Sequence, residues 1–98
     1  MRNKVLEEKG KLELEFSIKT RDIKNNSFEV FDKEMNRTKD MLSNLDFNSE
    51  GDINTILFQL ETNIGFIELI LKQMKNVQNI KEKIKLLDSL NEVKTNEK

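Results

Sequence analysis

The feature that most constrains this chain is a run of large aliphatic residues in its second half. The spacing alternates between four and three residues over three heptads, at Ile53, Leu57, Leu60, Ile64, Ile67, Leu71 and Met74. This repeat is typical of a helix whose apolar seam packs against a neighbouring helix, as in a coiled coil. We therefore predict a second helix over about residues 53–93, with this seam packed on the first half of the chain.

The spacing of this seam changes after Met74. It advances by three and again by three, through Val77 and Ile80, before the apolar pattern resumes towards Leu90. The change predicts a local phase shift of the kind that overwinds a coiled coil.

The first half of the chain carries an apolar stripe whose average step is close to the helical repeat. Its members are Leu12, Phe16, Thr20, Ile23, Ser27, Phe31, Met35, Thr38, Leu42 and Leu45. We therefore predict one long helix over about residues 3–46. The alternative is a break near Asn25, because Asn25-Asn26-Ser27 followed by Glu29 could end one helix and cap another.

Small polar residues and a glycine predict a turn at residues 47–52, with Ser49 or Asp52 as the cap of the second helix. The polar tail at residues 94–98 is predicted to fray. The fold class is therefore all-α, a single domain over residues 1–98. Its two long antiparallel helices form a hairpin that assembles with partner helices into a bundle.

Each helix of a hairpin needs only one apolar stripe to pack on the other, and this chain has more. A second stripe on helix two lies beside the first, and further apolar residues lie on helix one. An apolar patch left exposed usually marks an interface. The residues that we predict to bind a partner on this ground are Phe28, Phe31, Ile56, Phe66, Ile70 and Val77.

The residue types present exclude most chemistry. Histidine and cysteine are absent, which removes the commonest general base, the thiolate nucleophile and the soft metal ligands. We therefore expect no enzymatic activity, no cofactor or metal site and no small-molecule substrate. The balance of 17 basic against 18 acidic residues argues against nucleic-acid binding.

The same residues bear on membranes and compartment. The most apolar stretch, residues 53–74, contains Glu61 and Glu68 and is predicted to be a packed helix rather than a membrane span. Residues 1–20 lack the apolar core of a signal peptide, so we expect the chain to start in the cytoplasm.

The outline of two long helices around a central turn resembles the Esx or WXG-like hairpins of type VII secretion systems and the small helical partners of LXG toxins. Phe47-Asn48-Ser49 stands where WXG proteins have Trp-x-Gly, and without any tyrosine the chain lacks that family's export signal. Phe28 to Asp32 is similar to the Phe-x-x-x-Asp motif of some LXG partners, which adds Asp32 to the predicted partner-binding residues. The resemblance implies a targeting factor or chaperone that binds a helical toxin segment and is exported with it, without a cleaved signal peptide.

Two other functions fit the same residues. The chain would be an inhibitor, such as an antitoxin, an immunity protein or a phage counter-defence factor, if its apolar face covers an enzyme. It would be a structural subunit if it forms a coiled coil with itself. We favour a hetero-oligomer with another helical protein over a homodimer.

Overall fold

The structure is a computed structural model that describes the backbone of residues 2–96 and the side chains of residues 4–90. Its elements are helix α1 (Arg2–Asp22), a π-helical segment (Ile23–Ser27), helix α2 (Phe28–Ser43) and helix α3 (Glu50–Asn96). No strand occurs among the described residues, and two long helical stretches are joined by a short loop. The predicted all-α fold class is confirmed.

The alternative of a break near Asn25 is resolved by the π-helical segment, because the chain stays helical through it. Ser27 keeps helical backbone angles (φ −65°, ψ −46°), and its side chain makes no capping hydrogen bond. A π-helical turn holds more residues than an α-helical one. The packed positions Ile23, Ser27 and Phe31 can therefore advance by four residues at each step without drifting off one face.

The loop occupies residues 44–49, three residues earlier than the predicted turn at 47–52, because α2 already ends at Ser43. The second helix begins at Glu50 and runs to Asn96, beyond the predicted end near residue 93. Residues 94–96 of the predicted frayed tail therefore belong to α3, and residues 97 and 98 lie outside the described residues.

Side chains from the loop and the first turn of α3 fix the start of that helix. Ser49 Oγ accepts a hydrogen bond from the backbone N–H of Asp52 at 3.2 Å, which confirms Ser49 as the N-cap. The Asp52 carboxylate accepts one from the backbone N–H of Asp46 at 3.1 Å. Asp46 Oδ1 accepts another from the N–H of Asn48 at 2.9 Å. Because the cap is Ser49, α3 starts at Glu50, before the first residue of its apolar repeat at Ile53.

The chain forms two compact units, and α3 contributes to both. We call the first the terminal unit, which contains α1 and α3 from Gln73 onwards. Here Lys19 Nζ donates a hydrogen bond to Asn76 Oδ1 at 3.0 Å. Lys9 pairs with Asp88, and the hydrogen bond and charge of that carboxylate raise the pKa of Lys9 above its usual value.

The second unit, which we call the turn unit, contains the π-helical segment, α2 and α3 up to Lys72. A buried polar layer joins its two helices. Thr38 Oγ1 accepts hydrogen bonds from Asn63 Nδ2 at 2.6 Å and from Gln59 Nε2 at 3.1 Å. Thr38 Oγ1 also donates to the backbone oxygen of Glu34 at 2.8 Å, and Gln59 Nε2 donates to Glu34 Oε2 at 2.8 Å. The polar groups of this layer find their hydrogen-bond partners largely across the helix pair.

We expect Thr38→Val to lower the free energy of unfolding by about 2 kcal/mol, because it keeps the shape but leaves two buried amides without their shared acceptor. Urea denaturation followed by circular dichroism measures the change. Thr55→Val is the matched control, since the exposed Thr55 hydroxyl bonds only to the Gly51 carbonyl. This control should stay within about 0.5 kcal/mol of the wild type. Equal effects at the two threonines would contradict the role given to the layer.

Candidate functional site: an exposed heptad seam

In the turn unit, α3 turns inwards a mixed stripe that includes two amide side chains, and it turns its most apolar stripe outwards. The residues that pack towards α2, which we call the inner seam, are buried or half-buried: Ile56, Gln59, Asn63, Phe66 and Ile70. The residues that face away from α2, which we call the outer seam, are 40–54% exposed: Leu57, Leu60, Ile64, Ile67 and Leu71. The prediction that the outer seam packs on the first half of the chain is therefore wrong.

The two seams follow the same repeat one residue apart. Every residue of the outer seam directly follows a residue of the inner seam in the sequence. One residue corresponds to a rotation of about 100° around an α-helix. A helix with two seams at that angle has the geometry of a corner in a four-helix arrangement, where each helix contacts two neighbours.

This arrangement also corrects the predicted phase shift after Met74. In the terminal unit the packed residues of α3 are Gln73, Val77, Ile80, Ile84 and Leu87. They continue the numbering of the inner seam with an unbroken alternation of three and four. The change of spacing in the sequence therefore marks the point where the apolar residues leave the outer positions and occupy the inner ones.

Most residues that we predicted to bind a partner are buried or half-buried in the structure. Ile56 and Val77 are only 5% and 8% exposed, and Phe66 and Ile70 are half-buried on the inner seam. These side chains pack within their own units. They occupy the same heptad positions of α3 as the buried residues Val77 and Ile80. The expectation that they form an exposed face is wrong.

The predicted residues of helix one lie as follows. Phe31 is half-buried, whereas Phe28 and Asp32 are exposed on α2. Of the predicted stripe, Leu42 is also exposed, and its neighbour Met41 is the packed residue instead. Phe28 alone among the predicted aromatic residues therefore keeps an exposed position.

Helix α2 adds a second row to the outer face. Phe28, Met35 and Leu42 follow one another at intervals of seven residues, with Phe28 and Leu42 exposed and Met35 half-buried. Each directly follows an inward position, namely Ser27 of the π-helical segment, Glu34 or Met41. In an antiparallel helix pair, the residues that directly follow the inward positions lie on the same side of the pair in both helices. The outer seam and this row therefore form one apolar surface on the turn unit.

An acidic edge runs along the outer seam. Glu61 directly follows Leu60, and Glu68 directly follows Ile67, so both lie on the side of the seam away from the inner seam. Both are exposed, and neither takes part in an ion pair or hydrogen bond within the described part of the chain. The nearest lysine along α3 is Lys72, four residues after Glu68, and no ion pair joins the two within the described residues.

Completing the burial of the outer seam is worth several kcal/mol. Full burial of a leucine or isoleucine contributes about 1.5–3 kcal/mol, so covering these five half-exposed side chains contributes about 4–7 kcal/mol. The contribution is comparable with the whole free energy of unfolding of a small domain. The outer seam is therefore the feature of the turn unit with the most to gain from a bound helix.

Other kinds of site have little support among the described residues. A shallow pocket of about 210 Å³ lies by the loop between Met41, Leu45 and Ile56, below the usual size of a ligand cavity. No group of three or more acidic side chains in the described part of the chain is arranged to hold a metal ion. None of the described helices is long and apolar enough to cross a membrane.

Comparisons of the chain with protein-family models, with curated proteins and with solved structures found no match. The resemblance to the Esx and LXG-partner hairpins stays a prediction.

Proposed function

We propose that this protein is a non-catalytic, helix-binding hairpin that acts as the partner, targeting factor or chaperone of a larger helical protein. The observation that carries the proposal is the outer seam, a regular heptad of leucine and isoleucine left about half exposed. Regular heptads recur where one helix packs against another, and binding by an amphipathic helix is read from such spacings. The inner seam already serves the helix pair, so the outer seam is available to another chain.

The angle between the seams supports a client that presents helices side by side. A second helix pair stacked on the outer face would cover the outer seam together with Phe28, Met35 and Leu42. The helical N-terminal segment of an LXG toxin is the client that the resemblance implies. This identification rests on the resemblance of the outline and on the Phe28–Asp32 motif, of which Phe28 and Asp32 are exposed.

Co-expression with a toxin encoded beside this gene tests the proposal. We expect the tagged chain to co-purify in stable stoichiometry with the helical N-terminal segment of that toxin and not with its catalytic domain. Binding to the catalytic domain, with rescue of growth, would identify an inhibitor instead. A stable homodimer in light scattering that takes up no client would contradict the proposal in favour of a self-associating subunit.

A further inference from the structure

We infer that the helix that docks on the outer seam belongs to a different protein and carries lysine or arginine beside its own apolar heptad, opposite Glu61 and Glu68. The inference rests on the proposed function and adds the chemistry of the partner.

The acidic edge places two negative charges directly beside the outer seam. Glu61 and Glu68 are seven residues apart, so they stand one above the other, about 10 Å apart along the helix. The nearest cation beyond the seam along α3 is Lys72. A docking helix brings its own flanking residues close to this edge, since the positions beside a heptad seam meet across a helix pair and set partner choice.

An antiparallel second copy would place like charges together. The alignment that fills the seam best brings Leu60 of one copy opposite Leu71 of the other, and Ile64 opposite Ile67. Glu61 of each copy then lies beside Glu68 of the other. Sliding by one heptad in either direction instead brings Glu61 beside Glu61 or Glu68 beside Glu68. The slide that opposes the two copies of Glu68 also brings Lys75 beside Glu61, but it sets Leu60 against Gln78 and so gives up apolar layers of the seam. The registers that fill the seam oppose glutamate to glutamate, which disfavours the pair.

A parallel second copy offers no cation opposite the acidic edge. In a parallel helix pair, the residues across from Glu61 and Glu68 are those five positions earlier on the other helix. In this chain those residues are Ile56 and Asn63, which are buried in the inner seam. A helix with basic residues at the flanking positions converts the same edge into an attraction, which both strengthens binding and excludes self-association.

The charge-reversed chain itself serves as a probe, because Glu61→Lys with Glu68→Lys presents the same apolar heptad with basic flanks. Titration of labelled wild-type protein, followed by fluorescence anisotropy at low ionic strength, measures binding to this probe and to the unlabelled wild type. We expect the probe to bind about tenfold more tightly than the wild type binds itself, which corresponds to a few surface charge pairs. The difference in affinity should disappear near 1 M salt, where the Debye screening length is only about 3 Å.

The control is Glu8→Lys with Glu15→Lys, which makes the same change of net charge at two exposed glutamates seven residues apart on α1, off the outer seam. This variant should bind the wild type no more tightly than the wild type binds itself. Wild-type self-association as strong as binding to the probe would overturn the basic partner and leave the proposed function standing. No association in any mixture would overturn both.

Discussion

Replacing Ile56 with aspartate is expected to unfold the turn unit, whereas the same replacement at Ile64 is expected to leave it folded. Ile56 is 5% exposed and packs on the inner seam, so the new carboxylate would be charged among apolar atoms. No lysine or arginine lies on α3 between Asp52 and Leu71 to neutralise it there. The loss of packing and the buried charge together should cost about 3–5 kcal/mol.

The comparison with Ile64 makes this a test of which face is inside. Ile64 is 54% exposed on the same helix, so Ile64→Asp should change the free energy of unfolding by no more than about 1 kcal/mol. Thermal and urea unfolding, monitored by circular dichroism at a concentration where the wild type is monomeric, compare the two variants. If Ile64→Asp were the more damaging variant, the assignment of inner and outer seams would be reversed.

The double variant Ile64→Asp with Ile67→Asp is expected to abolish binding of a helical partner while the chain stays folded. The two residues lie at the centre of the outer seam, where a docked helix would bury both new carboxylates beside Glu61 and Glu68. Burying an unpaired charge costs several kcal/mol, so affinity should fall at least about 100-fold. Isothermal titration calorimetry with the co-purifying partner measures the loss.

Phe58→Asp with Leu69→Asp is the matched control for that variant. Both residues are apolar and exposed, at 70% and 48%, but they lie on the side of α3 away from the outer seam. The control should bind with nearly wild-type affinity, because a helix seated on the outer seam does not cover these positions. An equal loss in both double variants would show that affinity follows general apolarity rather than the seam.

The sequence predicts the helical elements well and the choice of packed face poorly. Heptad spacing and helix propensity are local properties, so the two helical stretches and the Ser49 cap follow from neighbouring residues. The choice of face depends on which stripe meets the other helix. The strength of the outer stripe led to the wrong choice, because Gln59 and Asn63 interrupt the inner stripe and their burial depends on hydrogen bonds to Thr38.

A signal for the correct face was nevertheless present. Ile56, Phe66 and Ile70 are in heptad phase with Val77 and the apolar residues after it. Beyond Met74 the outer positions are Gln78, Lys81 and Lys85, which cannot form an apolar seam. Reading the phase backwards from the C-terminal half would have identified the inner seam and moved the candidate site to the outer one.

The polar layer between α2 and α3 has a consequence for recognition. Two helices that meet through aliphatic side chains alone can shift past each other by a heptad, about 10 Å, and still pack apolar residues against apolar residues. Such a shift here would break the hydrogen bonds between the Thr38 hydroxyl and the Gln59 and Asn63 amides. The layer therefore fixes the register of α2 against α3. An incoming helix meets a surface on which the outer seam and the row of α2 are held in one axial alignment.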